Sequence, residues 1–328
     1  MNGVSHAASG AVFGLLVSAW SNLPPKDAIL FSALTAGGAT LPDIDHPDSH
    51  VARSLGGVTR LFARAVNAVS GGHRHGTHSG PGIGAFAVLL GAATALHTGQ
   101  AGHLVGGLVA GAALAAVAIP VRLFDRNPQP AYATPVGGIL AAVAVGTFAL
   151  TLAALAVWQG RVVGTVVLGA VMALALAAAV RTVRLSRGMV DELLAVAAVV
   201  VSLHAGMDWS LAGQALVTGA IVHVIGDTVT EGGCPLGWPL SSRFISLELF
   251  RTGGWTERYV VRPAIAVAAG VAALAWGIQA ALVATLVVGL WLVAGSSGEV
   301  QKPRRKGRGR AAGAKRKAAG GARRARRR

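Results

Sequence analysis

Residues 262–295 read RPAIAVAAGVAALAWGIQAALVATLVVGLWLVAG, and no charged side chain follows Arg262 until Glu299. Gly277 and Gln279 divide this run into two apolar segments, 262–278 and 279–295, each near the roughly 20 residues that a membrane-spanning helix needs. In lipid the backbone must satisfy its own hydrogen bonds, so segments of this kind form helices. The stretch therefore predicts a pair of transmembrane helices.

The rest of the chain has the same character. Its 328 residues are 53% hydrophobic and 13% charged, with a mean hydropathy of +0.59. Soluble domains carry about 25% charged residues, so a water-soluble globule is excluded. Further apolar segments lie near 5–20, 28–41, 83–98, 103–120, 136–158, 162–181, 190–206 and 211–226. We predict an all-α, polytopic transmembrane helical bundle of about 8 to 10 spans, whose first two segments are short enough to be re-entrant.

Charge is distributed unevenly along the chain. The net charge is +16, but 14 of the 29 Lys and Arg lie between Lys302 and Arg328, which leaves 15 basic against 13 acidic residues elsewhere. If all ten segments cross, one face carries 13 basic residues and the tail, whereas the other carries Lys26 and Arg161. The positive-inside rule makes the basic face cytoplasmic, as expected of a multi-pass protein of the bacterial inner membrane.

This topology predicts two structural parts. A transmembrane domain covers 1–298, with cytoplasm-facing loops at 43–82 and 227–262, and a disordered basic tail covers 299–328. Its run from Lys302 to Arg328 lacks acidic and aromatic residues and should attract anionic lipid headgroups by charge alone. Nucleic acid is a less favoured partner, because stacking aromatics and groove-reading motifs are absent from it. The single cysteine, Cys234, excludes a disulfide framework and a multi-thiolate metal site within one chain.

Histidine and aspartate interrupt the apolar pattern in four segments, all of which reach the predicted cytoplasmic face. Imidazole and carboxylate groups drawn from separate elements are the usual ligands of hydrolytic zinc, manganese or iron sites. His223 and Asp227 are spaced i, i+4 and share one helix face. His204 and Asp208 have the same spacing but fall at the opposite face, where a hydrogen-bonded interfacial pair is the simpler interpretation. The candidate metal ligands are His6, Asp43, Asp45, His73, His78, His223 and Asp227.

These segments resemble a bacterial inner-membrane family described as membrane-bound, metal-dependent hydrolases and as LexA-regulated inner-membrane hydrolases. The resemblance covers about residues 1–90 and 215–262 and implies a metal-dependent hydrolase without a defined substrate. The stretch between the two blocks is longer than the family pattern needs, and the basic tail lies outside the pattern. The matching residues are His6; Pro42, Asp43, Asp45 and His46; His73, Arg74, Thr77, His78 and Ser79; and His223, Asp227, Thr230, Gly233 and Pro239.

We hypothesise that the candidate ligands hold one or two divalent metals, with zinc favoured over manganese or iron. A bound metal would lower the pKa of a water to about 7 and supply a hydroxide nucleophile. His46, or a carboxylate such as Asp43, would act as general base. Arg74 would clamp a substrate phosphate or carboxylate, or contact a lipid headgroup. The hydroxyl groups that we expect to orient ligands belong to Thr77, Ser79 and Thr230.

Two other functions fit the sequence. Intramembrane His and Asp also bind divalent ions or relay protons in transporters, although such sites lie near the bilayer midplane rather than at span ends. The protein could instead be a membrane anchor whose tail binds anionic lipid or nucleic acid. The position of the His and Asp residues favours the hydrolase, and an amphiphilic or lipid-phosphate substrate suits a site at the lipid boundary.

Overall fold

The computed structural model describes residues 1–54, 56–125, 160–183 and 189–296, and all structural statements below concern these residues. The predicted span 136–158 and the predicted tail 299–328 lie outside them. Eleven α-helices occur in the described part, and no β-strand does. They are α1 (Gly3–Trp20), α2 (Pro25–Gly38), α3 (Gly57–Ser70), α4 (Gly80–Thr98), α5 (Gly102–Ala116), α6 (Ala118–Leu123), α7 (Gly160–Thr182), α8 (Val190–His204), α9 (Ala212–Thr228), α10 (Arg262–Ala273) and α11 (Ile278–Ser296).

Seven helical segments are long and apolar enough to cross a membrane. The predicted all-α polytopic bundle is confirmed. Helices α2 and α8, with 14 and 15 residues, are shorter than these segments. The candidate spans are Gly3–Trp20, Gly80–Thr98, Gly102–Leu123, Gly160–Thr182, Trp209–Thr228, Glu257–Trp276 and Ile278–Gly295.

Helices α1, α2 and α9 form the centre of the bundle, where small residues permit close contact. A Cβ atom on Gly10 of α1 would lie 2.6 Å from the Thr35 carbonyl oxygen of α2. Close approach of backbones is how membrane helices gain packing energy, since lipid gives them no hydrophobic driving force toward each other. The fully buried Leu34, Met172 and Leu216 join α2, α7 and α9 in the main core. This centre fixes the ends of α2 and α9 relative to each other.

The outer surface is apolar, as a lipid solvent requires. Helix α11 exposes Leu282, Leu286 and Leu290. Fully buried positions include polar side chains such as Ser5 and Thr35. A water-soluble protein would reverse this arrangement, so the exposure pattern agrees with a protein embedded in a bilayer.

One predicted loop contains a helix. The stretch 43–82 includes α3, a helix of 14 residues that ends at Ser70. It is followed by Gly71, whose φ of +82° is the left-handed conformation that glycine adopts at helix C-termini. The 3₁₀ turns Leu41–Asp45, Val51–Arg53 and Gly76–His78 account for much of the remainder. In the second predicted loop, 227–262, Asp227 still belongs to α9, and a π-helix at Glu257–Val261 leads into α10.

Candidate metal centre

Four chain segments converge at one end of the bundle. Helix α1 begins there and α2 ends there, while α4 begins after the Gly76–His78 turn and α9 ends at Thr228. The structure brings together all seven residues predicted as ligands, and they form three overlapping groups with potential ligand atoms within 4.8 Å of one another. These groups are His6, His223 and Asp227; Asp43, His78 and His223; and Asp43, Asp45 and His73.

Two buried histidines face each other at the middle of this assembly. His223 Nδ1 donates a hydrogen bond to the Ala39 carbonyl oxygen at 2.7 Å. Because a carbonyl can only accept, the neutral ring carries its lone pair on Nε2. That atom lies 3.1 Å from His78 Nε2. The backbone at the end of α2 therefore sets both the tautomer and the direction of a potential metal ligand.

Two carboxylates complete what we call the donor cluster, defined as Asp43, His78, His223 and Asp227. Asp43 Oδ1 lies 3.6 Å from His78 Nε2 and 3.8 Å from His223 Nε2. Asp227 Oδ2 lies 3.9 Å and 3.7 Å from the same two atoms. Ligands at about 2.0–2.1 Å from a tetrahedral ion are about 3.3 Å apart. The donor cluster thus has the composition and nearly the spacing of a four-coordinate site.

Asp45 contacts the His78 ring on its Nδ1 side. Asp45 is fully buried, and its Oδ2 lies 3.4 Å from His78 Nδ1 and accepts from the Thr77 hydroxyl at 2.6 Å. The Thr77 oxygen is also 3.0 Å from His78 Nδ1. With Nδ1 engaged in this way, Nε2 of His78 is directed to the donor cluster. The other Asp45 oxygen, Oδ1, accepts from His73 Nδ1 at 2.8 Å.

The carboxylates of the turn create a strong negative potential at His78. Burial opposes ionisation of His78, but the adjacent carboxylates of Asp43 and Asp45 outweigh burial and raise its pKa to about 9. Burial would likewise raise the pKa of both carboxyl groups, yet the neighbouring histidines hold both pKa values well below the usual range. An environment that draws a proton onto His78 also favours a cation in the same place.

Two buried atoms at this site lack hydrogen-bond partners. His6 stacks on His223 with 3.8 Å between ring centroids, and its Nε2 donates to Asp227 Oδ1 at 3.0 Å. His6 Nδ1 and Asp227 Oδ2 are both buried without a hydrogen bond. Buried polar atoms are normally satisfied, so His6 Nδ1 marks a place where a cation or water would fit, whereas Asp227 Oδ2 already has the Arg74 guanidinium 3.1 Å away.

Cationic groups of the chain also approach Asp227. Arg74 Nη2 forms an ion pair with Asp227 Oδ2 at 3.1 Å, and the amino nitrogen of Met1 is 2.6 Å from Asp227 Oδ1. Arg74 has a φ of +62°, and its backbone N–H donates to Asp45 Oδ2 at 2.9 Å. The guanidinium group predicted to clamp a substrate therefore contacts a candidate metal ligand.

His46 and His73 lie at the rim of the site. Their rings meet edge to face at 4.8 Å, and the His73 side chain is 37% exposed. His46 Nδ1 accepts from the Asp48 backbone N–H at 3.1 Å, so the proton of neutral His46 is on Nε2. This is unfavourable for the general base predicted at His46. His73, with Nδ1 donating to Asp45, has Nε2 available as an acceptor instead.

The three predicted orienting hydroxyls have different contacts. Thr77 reaches Asp45 and His78, as described above. Ser79 does not contact a ligand: it donates to the Gly76 carbonyl oxygen and accepts from Gly82 N–H, which caps the start of α4. Thr230 donates to the backbone oxygen of Asp227 at 2.8 Å and so contacts the end of α9 rather than the carboxylate.

Two groups that the sequence analysis missed also support the site. One is the Ala39 carbonyl. The other is Asn67 of α3, whose Nδ2 donates to the Asp45 backbone oxygen at 2.6 Å. Neither has a recognisable motif, because a carbonyl has no sequence signature and Asn67 is 22 residues from its partner. Cys234 is buried, and burial raises its pKa to about 12, so it offers no thiolate.

A small cavity of about 70 Å³ adjoins the donor cluster. Asp43, Ser49, His50 and Thr182 are among its lining residues. This is room enough for water, and the polar lining supplies the partners that a buried water needs.

Other His and Asp residues lie away from the site. Asp208 precedes α9 and His97 lies at the end of α4, so both are at the opposite ends of helices that reach the site.

Residues 1–119 match the family model described as YdjM inner membrane protein. The match includes five candidate ligands, from His6 to His78, and ends before His223 and Asp227. No curated protein and no solved structure matches the chain. The family match and the candidate spans together support a multi-pass protein of the bacterial inner membrane.

Proposed function

We propose that the protein is a metal-dependent hydrolase that acts at the cytoplasmic surface of the inner membrane. The observation that carries this proposal is the donor cluster, in which two imidazole nitrogens 3.1 Å apart are each within 3.9 Å of two carboxylates. Nitrogen and carboxylate donors of this kind fit zinc, with manganese or iron as alternatives. A bound ion would supply Lewis acidity and a water of lowered pKa.

The remaining residues fit the requirements of hydrolysis. Asp45 fixes both His78 and His73, so one carboxylate orients a metal ligand and a base. His73 Nε2 at the rim would accept the proton of the attacking water, in the manner of other carboxylate-oriented histidines. The cavity next to Asp43 provides space for water. Arg74 would balance negative charge that develops on the substrate.

The location of the site favours an amphiphilic substrate such as a lipid phosphate. The donor cluster lies at span ends, where Asp227 is the second-last residue of α9 and Asp43 lies in the turn after α2. Substrate headgroups occupy this level of a bilayer. A transporter would instead bind its ion near the midplane on broken helices.

Metal content tests the proposal. Detergent-purified wild type should contain near-stoichiometric zinc, manganese or iron by mass spectrometry, while His223→Ala should lose it. His204→Ala is the matched control, because that exposed ring bonds only the Val200 carbonyl of its own helix in the described structure. Asp43→Asn is a second variant whose partly exposed side chain makes misfolding less of a concern.

Catalysis needs its own measurement. Metal-loaded protein in vesicles that contain phosphatidate should release inorganic phosphate, and the Asp43→Asn variant should not. Absence of metal in wild type, together with failure to bind added metal, would contradict the metal centre. Bound metal without phosphate release would contradict the lipid-phosphate substrate and leave the centre standing.

A further inference from the structure

Helix α3 is turned with its polar side toward the protein. Thr59, Ala63 and Ser70 are buried, and the Thr59 hydroxyl donates to the Ala52 carbonyl oxygen at 2.9 Å. Asn67 on the same side contacts the backbone of Asp45. Small and polar side chains thus attach α3 to the turns that carry the donor cluster.

The apolar side of α3 faces outward. Val58, Leu61 and Phe62 are 75%, 68% and 57% exposed, and with Ala65 they follow the i, i+3, i+4, i+7 spacing of one helix face. In a protein surrounded by water, a helix turns this side inward. An exposed apolar stripe indicates that this face of the helix contacts another apolar surface.

Charge next to the stripe indicates what that partner is. Arg60 and Arg64, spaced i, i+4, are exposed on one side of the stripe, and the helix has no acidic residue. An apolar face bordered by arginines is typical of helices that lie in the membrane interface and bind anionic lipids. A second protein surface would have to supply both apolar area and acidic groups.

The position of α3 fits the same partner. The helix lies between the turn at Val51–Arg53 and the turn at Gly76–His78, directly before the start of the candidate span α4. The ends of spans define the level of the lipid headgroups. Helix α3 therefore lies at the depth of the bilayer interface.

We propose that α3 lies in the membrane plane, with Val58, Leu61 and Phe62 among the upper acyl chains and with Arg60 and Arg64 bound to anionic phospholipid phosphates. Through Asn67 the helix holds the Asp45 turn against the lipid surface. This proposal does not depend on hydrolysis or on a bound metal, so it can fail or hold independently of the proposed function.

Depth-dependent fluorescence quenching tests the position of α3. Phe62→Cys, labelled with a fluorescent maleimide in full-length protein, is reconstituted in vesicles of phosphatidylcholine and phosphatidylglycerol. Cys234 is buried, so wild type serves as the unlabelled control. Lipids brominated near the carbonyl end of the chain should quench the Phe62 label about threefold more than an Arg251→Cys label in an exposed loop. A Val287→Cys label on α11 should respond best to bromines near the chain terminus.

The anionic part of the proposal is tested in the same system. Replacing phosphatidylglycerol by phosphatidylcholine, or Arg60 and Arg64 by glutamine, should reduce quenching at Phe62 and leave Val287 unchanged. Quenching at Phe62 no greater than at Arg251 would overturn the membrane position and indicate that protein covers this face. Quenching independent of lipid charge and of both arginines would overturn the anionic-lipid contact. All measurements are repeated with a metal chelator, which should leave the quenching at each label unchanged.

Discussion

Asp45 joins most of the groups at the candidate metal centre. Its side chain receives hydrogen bonds from His73, Thr77 and the Arg74 backbone, and it lies 3.4 Å from His78 Nδ1. Its lone pairs are therefore largely engaged with the protein. We infer that Asp45, predicted as a ligand, acts mainly by orienting the ligand His78.

Asp45→Asn tests this role of Asp45. The amide retains the size of the carboxylate but loses the negative charge and one acceptor, so metal affinity should fall about 10- to 100-fold. Isothermal titration calorimetry with zinc measures this affinity. Asp48→Asn is the matched control in the adjoining turn, because Asp48 is exposed. Equal affinities for Asp45→Asn and wild type would contradict the orienting role.

The two rim histidines give a second residue-scale prediction. If His73 is the general base, His73→Asn should lower the rate of phosphate release by about 10²- to 10⁴-fold while metal content stays near that of wild type. His46→Asn should have a much smaller effect, because the Asp48 N–H already occupies His46 Nδ1. A larger loss of rate in His46→Asn than in His73→Asn would reverse the assignment.

Sequence reasoning predicted which His and Asp residues lie close together, but not which contacts each of them makes. The spacing of His223 and Asp227 predicts a shared helix face, and the structure has both on α9 near Asp43. Which nitrogen of His223 is available depends on the Ala39 carbonyl, which belongs to another helix. Such contacts arise from tertiary packing and leave no local pattern.

At the scale of elements, the contact between α2 and α9 sets the geometry of the centre. Gly219 of α9 lies one turn before His223, and a Cβ atom there would be 2.5 Å from the Ala39 nitrogen and 2.7 Å from the Gly38 carbonyl carbon. Only a hydrogen at this position allows the helices to approach closely enough for the bond from His223 to Ala39.

Gly219→Ala should therefore separate α2 from α9 and destabilise the protein by about 1–3 kcal/mol. Thermal unfolding in detergent should show a lower Tm, and metal affinity should fall as well. Gly106→Ala on α5 is the control, since its Cβ would meet no atom within 4 Å. A helix-interior Gly→Ala change of that kind is neutral or stabilising. Equal Tm values for the two variants would contradict the close-contact argument.

Hydropathy predicted the long helices well and α3 poorly, for one physical reason. A span must fill the hydrocarbon thickness with apolar residues, so its length and composition are visible in the sequence. Helix α3 has 14 residues and two arginines, so a search for spans assigns it to a loop. Its i, i+3, i+4, i+7 stripe is the signal that could have identified it as an interfacial helix.

At the scale of the whole molecule, function depends on which face of the membrane the donor cluster occupies. In the described structure His78 lies in the turn before α4 and Gln100 lies just after the end of α4, and a 19-residue helix is about 28 Å long. This length matches the hydrocarbon core of a bilayer, so we expect these two positions to lie on opposite sides of it. The excess of arginine on the His78 side predicts that this side is cytoplasmic.

Labelling in intact cells tests this orientation. Gln100 is exposed between α4 and α5. A Gln100→Cys variant should therefore react with a membrane-impermeant maleimide that is added to cells with a permeabilised outer membrane. Arg251→Cys, exposed in the segment after α9, should react only after the inner membrane is disrupted. Wild type, with its buried Cys234, should stay unlabelled under both conditions. The reverse pattern would place the donor cluster on the periplasmic side. It would then take its metal from the periplasm and its lipid-phosphate substrates from the outer leaflet of the inner membrane.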